Sequence, residues 1–432
     1  MPPQLGQLTK LVMLTDFFIG KGKSGSIAEL GPLEHLGREL CIWNLENVVD
    51  ASHATVANLK GKRYIEKLEL RWGEDDGRSR SISEQILEQL RPSNYLKALE
   101  VHKYPGAKFP NWLGEHCFSN LTSLYLWGGR HCSELPALGQ LKLLKELKIA
   151  YFDSIVRIGP EFYGNSSNKK SFPSLEKLTF SNMPRLEQLM PPPRTSHHLP
   201  VLDDDEHCPV LETTVSLEDS DALEELPKNM HSLLPSLTEL RLEDCTKLRS
   251  FPVGGLPSSI EILKIWDCPG IDSSPEGGFP SNLKELEIKG CGKLVADRKN
   301  WGLQALQSLS SLKIQGCEEV LESFPEETLL PPSLNSLELW DIKHLKSLDY
   351  KGLEHLSSLK ELNLYKCPEL QSLPEERLPS SLKYLALDDC PETLEEKCQE
   401  NGGDWHKISH IPRIRINNKE IKPRKSTQVR IA

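Results

Sequence analysis

Short apolar clusters recur along the chain in one arrangement, L-x-x-L-x-[LI]-x-x-C-x-x-[LIV]. It is plainest in LTELRLEDCTKL (237–248), LKELEIKGCGKL (283–294) and LKELNLYKCPEL (359–370). With the second apolar position as anchor, copies stand at Leu40, Leu68, Leu99, Leu124, Leu147, Leu178, Leu240, Leu263, Leu286, Leu312, Leu337, Leu362 and Leu385. Between Leu178 and Leu240, VSLEDSDAL supplies a degenerate copy through Val215, Leu217, Ser220 and Leu223. A partial copy (Leu8, Leu11, Leu14) precedes the series. The L-x-L alternation predicts fourteen short strands, each with two apolar side chains inward and the residues between them outward. A single strand of this kind cannot bury its apolar face. Parallel copies must stack, about 4.8 Å apart, to make a continuous core.

The mean spacing of about 26 residues lies within the range of leucine-rich repeats. The expected fold is therefore an α/β repeat: a leucine-rich repeat solenoid, an arc or horseshoe with a parallel β-sheet on the concave side. Proline signals such as Phe251-Pro252, Phe324-Pro325 and Leu373-Pro374 suit a convex side of irregular or 3₁₀ turns. One return looks helical: SISEQILEQLRP sets Ile82, Ile86, Leu87 and Leu90 on one face, with Ser81-x-x-Glu84 as a capping box and Pro92 as a stop.

The pattern divides the chain into six parts. These are a partial N-terminal repeat (1–35), the N-terminal repeats (36–186), an acidic, proline-containing interruption with the degenerate repeat (187–235), short cysteine-type repeats (236–390), a C-terminal cap (391–416) and a basic tail read as disordered (417–432). In the cap, PETLEEKCQENGG reads as a short amphipathic helix, and Trp405, Ile408, Ile411 and Ile414 would cover the last leucine layer. Nothing polar precedes QLGQLTKLVMLTDFF to seal the other end, so the chain is expected to begin inside a larger array or to be a fragment. The interruption, with ten acidic residues and no Lys or Arg from Asp203 to Glu225, is either a solvated insertion or a regulatory segment that docks on a basic partner. His197, His198, His207 and Cys208 beside it lack the regular spacing of a metal site.

Cys245, Cys268, Cys291, Cys317, Cys367 and Cys390 each fall three residues after the last strand apolar position. That slot points inward, so the expectation is a reduced, buried ladder whose S–H groups meet backbone of the turn. No CxxC or CxxH pair suggests zinc.

Lys and Arg total 52 against 62 Asp and Glu, a net charge of −10, so no nucleic-acid partner is expected. No apolar run approaches the ~18 residues of a membrane span, and MPPQLGQLTK lacks the layout of a secretory signal. A cytoplasmic protein is expected, with the basic tail allowing a nuclear one. No nucleophile elbow, HExxH or paired metal ligand is present, so neither an enzyme nor a cofactor is expected.

The slot directly after the last strand apolar residue holds Trp43, Trp127, Trp266, Trp340 and Tyr365, with Trp72 one position further on. Rigid aromatics in outward positions are typical interface anchors; the competing reading is lateral packing against long neighbours such as Lys264 and Lys366. Lys264 and Glu338, also outward, complete the candidate protein-binding face. Trp340 and Tyr365, on adjacent repeats, form its strongest patch. Trp112 and Trp301, in return segments, are read as core.

Several segments resemble a known family. IWNLENV (42–48), Ala51, Ala54, Leu59-Lys60 and LELRW (68–72) look like the opening of the repeat region in plant nucleotide-binding leucine-rich repeat immune receptors of the coiled-coil class. FFIGKGKSGSIAEL (17–30), ILEQLRPSNYLKALEVHKYPGAKFPNWL (86–113), SELP (133–136), LGQL (138–141) and the cysteine repeats of 237–390 resemble the same group, in its RPP13-like subgroup. Such receptors carry a coiled-coil domain and a nucleotide-binding (NB-ARC) switch before the repeats. The one Gly-Lys-Ser here, at 22–24, has Phe17 where a phosphate loop needs Gly, so no nucleotide binding is expected. The resemblance implies a plant-defence recognition and autoinhibition module. Its partners would be a pathogen effector or guarded host protein and the receptor's own NB-ARC and coiled-coil region. The alternative is a substrate adaptor of a ubiquitin ligase or another free-standing interaction scaffold, which would need an upstream helical adaptor-binding motif. A cell-surface ectodomain would call for Asn in the turn slot and paired cap cysteines.

Overall fold

The computed structural model describes residues 4–22, 25–73, 80–114, 118–164, 171–189, 213–227, 230, 237–317 and 321–421. The chain divides into two compact units, Met1–Ser236 and Leu237–Ala432.

In the first unit eight strands lie parallel in chain order: Asp16–Phe18, Gly37–Trp43, Tyr64–Arg71, Ala98–His102, Ser123–Trp127, Glu146–Ala150, Lys177–Ser181 and Thr213–Glu218. Leu68, Leu99, Leu124, Leu147 and Leu178 stand opposite one another across the ladder, and each is at most 5% exposed. The degenerate copy takes its place in the stack, with Val215 opposite Leu178 and Leu217 opposite Phe180. The partial N-terminal copy does not form as expected. The strand there runs through Asp16–Phe18, Phe17 is the buried residue, and Leu8 is 55% exposed. Spacing alone put leucines in the inward slots, but register with the next strand selects Phe17, opposite Ile42.

In the second unit the parallel order is Leu237–Glu243, Ile262–Trp266, Glu285–Lys289, Ser311–Gln315, Ser336–Trp340, Glu361–Tyr365, Tyr384–Asp388 and Arg413–Ile416. The last of these was expected only as covering residues. It is a further strand, with Ile414 opposite Leu385 and Ile416 opposite Leu387. The chain then reverses, and Lys419–Ile421 pairs antiparallel with it. The reading of everything beyond residue 416 as a disordered tail is thus corrected for 417–421, while 422–432 lie outside the described residues. The cap helix spans Glu392–Lys397, and a second one, Trp405–Ile408, buries Ile408.

The return segments are mostly 3₁₀ turns and irregular chain. The helix expected after the third strand forms at Arg80–Gln89 and buries Ile86 and Leu87. Ser81 lies inside it rather than at its cap, and the Glu84 carboxylate accepts the Ala107 N–H at 2.8 Å. Trp112 and Trp301 are core, 1% and 0% exposed, and each indole N–H donates to a backbone carbonyl, of Leu87 and Leu294.

One regularity escaped the repeat pattern. Two residues after the last inward strand position, the chain enters the left-handed region at Asn44, Gly128, Asn182, Asp219, Asp244, Asp267, Gly290, Gly316, Asp341, Asp389 and Asn418. These are the residue types that tolerate it. The turn aims the next N–H along the sheet: that of Asp244 donates to Trp266, that of Asp267 to Lys289, and that of Gly290 to Gln315. Lys103, Tyr151 and Lys366 adopt the same conformation without being of that type.

The thiols follow the turn. Cys245, Cys268, Cys291, Cys317 and Cys367 are buried, as expected, whereas Cys390, at the end of the ladder, is only half-buried. The Cys268 and Cys291 thiols reach the carbonyls of Trp266 (3.2 Å) and Lys289 (3.1 Å). Burial pushes the Cys291 and Cys367 thiols up to about 12, and Cys390 to about 11.

Candidate functional site

Each strand leaves the residues that alternate with its inward pair on the solvent side of the sheet, and the register lines these residues up in rows. In the second unit the middle row runs Arg241, Lys264, Glu287, Lys313, Glu338, Asn363, Ala386, Arg415. The next row runs Glu243, Trp266, Lys289, Gln315, Trp340, Tyr365, Asp388.

The charges of the middle row are paired, within the row or with a row beside it, such as that of Glu239, Ile262 and Glu285. Lys264 reaches Glu239 (4.0 Å) and Glu285 (3.5 Å), and Lys313 reaches Glu287 (3.4 Å) and Glu338 (3.3 Å). The two expected site residues Lys264 and Glu338 are thus both on the face and both engaged in ion pairs. Trp340 and Tyr365 meet with ring centroids 5.1 Å apart, Lys313 sits over Trp340 at 5.7 Å, and the Arg415 guanidinium lies over Tyr365 while donating to its hydroxyl at 3.0 Å. Arg415 also pairs with Asp388 at 2.6 Å. Trp266 is half-buried on the same face.

In the first unit Trp43 is half-buried, stacked on Phe18 at 5.6 Å, covered by Arg71 at 4.7 Å and hydrogen-bonded to Asp16 at 2.8 Å. Trp127 is the exposed one, at 37%. It stacks on Tyr151 at 5.3 Å and touches His102 and Tyr125 at 5.5 and 5.9 Å. Trp72 is not on the face. It is 4% exposed and packs edge-on against Tyr104 at 5.3 Å, because one step beyond the outward slot the side chain turns into the core.

Beside Trp127, the carboxylates of Glu69 and Glu100 and the His102 imidazole lie within 4.8 Å of one another. Each of the four carboxylate oxygens already has a neighbour as partner. Lys67 bridges both carboxylates at 2.9 Å, Arg71 holds Glu69 at 2.7 Å, and His102 Nε2 faces Glu100 at 2.9 Å. The His102 hydrogen bond, opposed by burial and reinforced by Lys67, holds the Glu100 carboxyl down at about 2. This is a closed ion-pair network, suited to rigidity rather than to a reaction. The sequence reading missed Phe18, Tyr125 and Tyr151; the first two occupy outward strand positions, and Tyr151 occupies the left-handed turn slot.

Continuous parallel sheets, the buried leucine ladders and an outward face of aromatics and paired charges define a leucine-rich repeat protein. Residues 27–152 match the family of R13L1/DRL21 leucine-rich repeats, and residues 256–391 match the leucine-rich repeats of RPS2-like plant disease resistance proteins. The chain is 28% identical over 395 residues to the disease resistance RPP13-like protein 1 of Arabidopsis thaliana, covering 87% of this chain and 31% of that one. It is 30% identical over 262 residues to the disease resistance protein RGA2 of Solanum bulbocastanum, covering 57% and 27%. A leucine-rich repeat protein of Leptospira interrogans aligns over 96% of this chain and 97% of its own, with a TM-score of 0.44 and 16% identity. The chain is a leucine-rich repeat region of the kind carried by plant disease resistance proteins. It spans about a third or less of the length of the relatives it matches.

Proposed function

We propose that the chain is the recognition and autoinhibition module of an intracellular plant immune receptor. Its exposed sheet face binds a pathogen effector or a guarded host protein, and the module restrains the receptor's nucleotide-binding domain when no signal is present. The observation that supports this reading is the pairing of aromatics at the sheet face: Trp340 on Tyr365, in register, in one unit, and Trp127 on Tyr151, of the turn that follows the neighbouring strand, in the other. Flat, rigid rings left at a surface, flanked by charges already paired, are the usual material of a binding hot spot.

Co-expression with the nucleotide-binding domain of an RPP13-like relative tests it. Association, with loss of that domain's spontaneous cell-death signalling, is expected. A chain that neither associates with nor restrains any such domain overturns the restraint and favours a free-standing adaptor.

A further inference from the structure

Two neutral side chains bracket Trp340 on the sheet face of the second unit, and neither holds a hydrogen bond. Gln315 stands in the row of Trp340, one strand before it, and Asn363 stands in the middle row, one strand after it. Asn363 is 7% exposed, and its Oδ1 is enclosed with no donor facing it. Gln315 is half-buried, and its carboxamide has no partner among the described residues. A carboxamide is donor and acceptor at once, so an enclosed one left unpaired lowers the stability of the free chain.

The surrounding chemistry selects the occupant. The cations over the two rings are already paired with carboxylates, Lys313 with Glu287 and Glu338, and Arg415 with Asp388. What Gln315 and Asn363 leave open is neutral, and it matches an amide rather than a charged side chain. In an extended chain the N–H and C=O of one residue point the same way, and a ladder residue exchanges both with its neighbour. A side-chain carboxamide presents the same two groups together. The strands of Gln315 and Asn363 lie two spacings apart, about 10 Å, which three extended residues span. Asn363 needs only a turn about χ2, a broad torsion in Asn, to bring Oδ1 to the surface.

We infer that Gln315 and Asn363 hold the main chain of an extended segment of a protein partner, laid across Trp340 with an apolar side chain on the Trp340 and Tyr365 rings. This seat rests on the recognition reading above and narrows the partner's chemistry. A displayed random-peptide library, selected on the full chain, supplies the probe. Enriched peptides are synthesised, with analogues in which each main-chain amide in turn becomes an ester, and titrated by fluorescence anisotropy. The ester lacks the N–H and is a weaker acceptor, while every side chain is kept.

Enriched peptides are expected to bind Trp340→Ala about tenfold more weakly than the parent. At one or two positions the ester should raise the dissociation constant about fivefold in the parent chain. That penalty should vanish in Asn363→Leu or in Gln315→Ala, where the group that met the amide is gone. Asn363→Leu should melt no lower than the parent, since it removes a carboxamide without a partner. The seat is overturned if no ester weakens binding, or if the penalty survives in both variants. It is equally overturned if Asn363→Leu melts several degrees lower, which would make the carboxamide a structural group. Peptides lost on Trp127→Ala and indifferent to Trp340→Ala overturn the seat and leave the recognition reading standing; a library that yields no binder overturns both.

Discussion

Removing a single thiol from the ladder of the second unit separates hydrogen bonding from mere filling of space. The Cys291 sulfur accepts the Cys268 N–H at 3.4 Å and reaches the Lys289 carbonyl at 3.1 Å, and Cys291 is 0% exposed. Cys291→Ala deletes one buried heavy atom, which costs about 1 kcal/mol with the small cavity left behind. It also strands a buried backbone donor, at about 1–3 kcal/mol. The expected total is about 2–4 kcal/mol. Cys291→Ser keeps a donor and an acceptor at nearly the same place and should cost roughly half as much. Urea unfolding followed by the fluorescence of the buried Trp301 reads both in the same unit. The ordering decides. If Cys291→Ala proves as stable as Cys291→Ser or more so, the sulfur acts as an apolar filler and the hydrogen-bond reasoning is wrong.

Trp340→Ala removes a half-buried ring from the sheet face and should weaken partner association about tenfold while costing under about 1 kcal/mol of stability; equal association by variant and parent in a pull-down with the nucleotide-binding domain would refute it. Native Cys291 and Cys367, buried and with thiols pushed up to about 12, should not react with iodoacetamide at pH 8 until urea unfolds the second unit; prompt labelling of either thiol in the folded chain would contradict the buried ladder. Glu100 has a depressed carboxyl, so its contribution is present above the ordinary value near 4.5 and is lost as the pH falls toward about 2. Glu100→Gln should therefore flatten the acid side of the stability curve between those limits, by an amount on the order of 2–3 kcal/mol; an unchanged acid limb would count against the network. Lys62, 1% exposed, donates to the carbonyls of Leu30 and Leu33 at 2.6 and 2.9 Å, so Lys62→Met should destabilise the first unit by about 2 kcal/mol in thermal unfolding.

The repeat anchors were legible because burial of a two-residue apolar stripe is a strong, periodic demand on sequence. It held even for Val215 and Leu217, where the surrounding pattern is degraded. What it could not convey was set by register or by the turn. Phe17 displaced the nearby leucines because its neighbour strand presents Ile42 opposite it. Trp72 was misplaced because one residue of advance carries a side chain from the sheet face into the core. Arg413–Ile416 was hidden because a cap needs apolar residues whether it forms a strand or a lid. Tyr151 was missed because its position matters through a left-handed backbone, which a hydrophobicity pattern does not record.

The reversal at Asn417 and Asn418 has a consequence for self-association. A parallel ladder is an open template: any extended segment of like register can dock on its rim and extend it. Here the chain folds back on its own rim, and the outermost strand among the described residues, Lys419–Ile421, is three residues long and presents exposed Lys419 and Glu420. Charged, short and running the wrong way, it discourages edge-to-edge aggregation at that margin of the sheet.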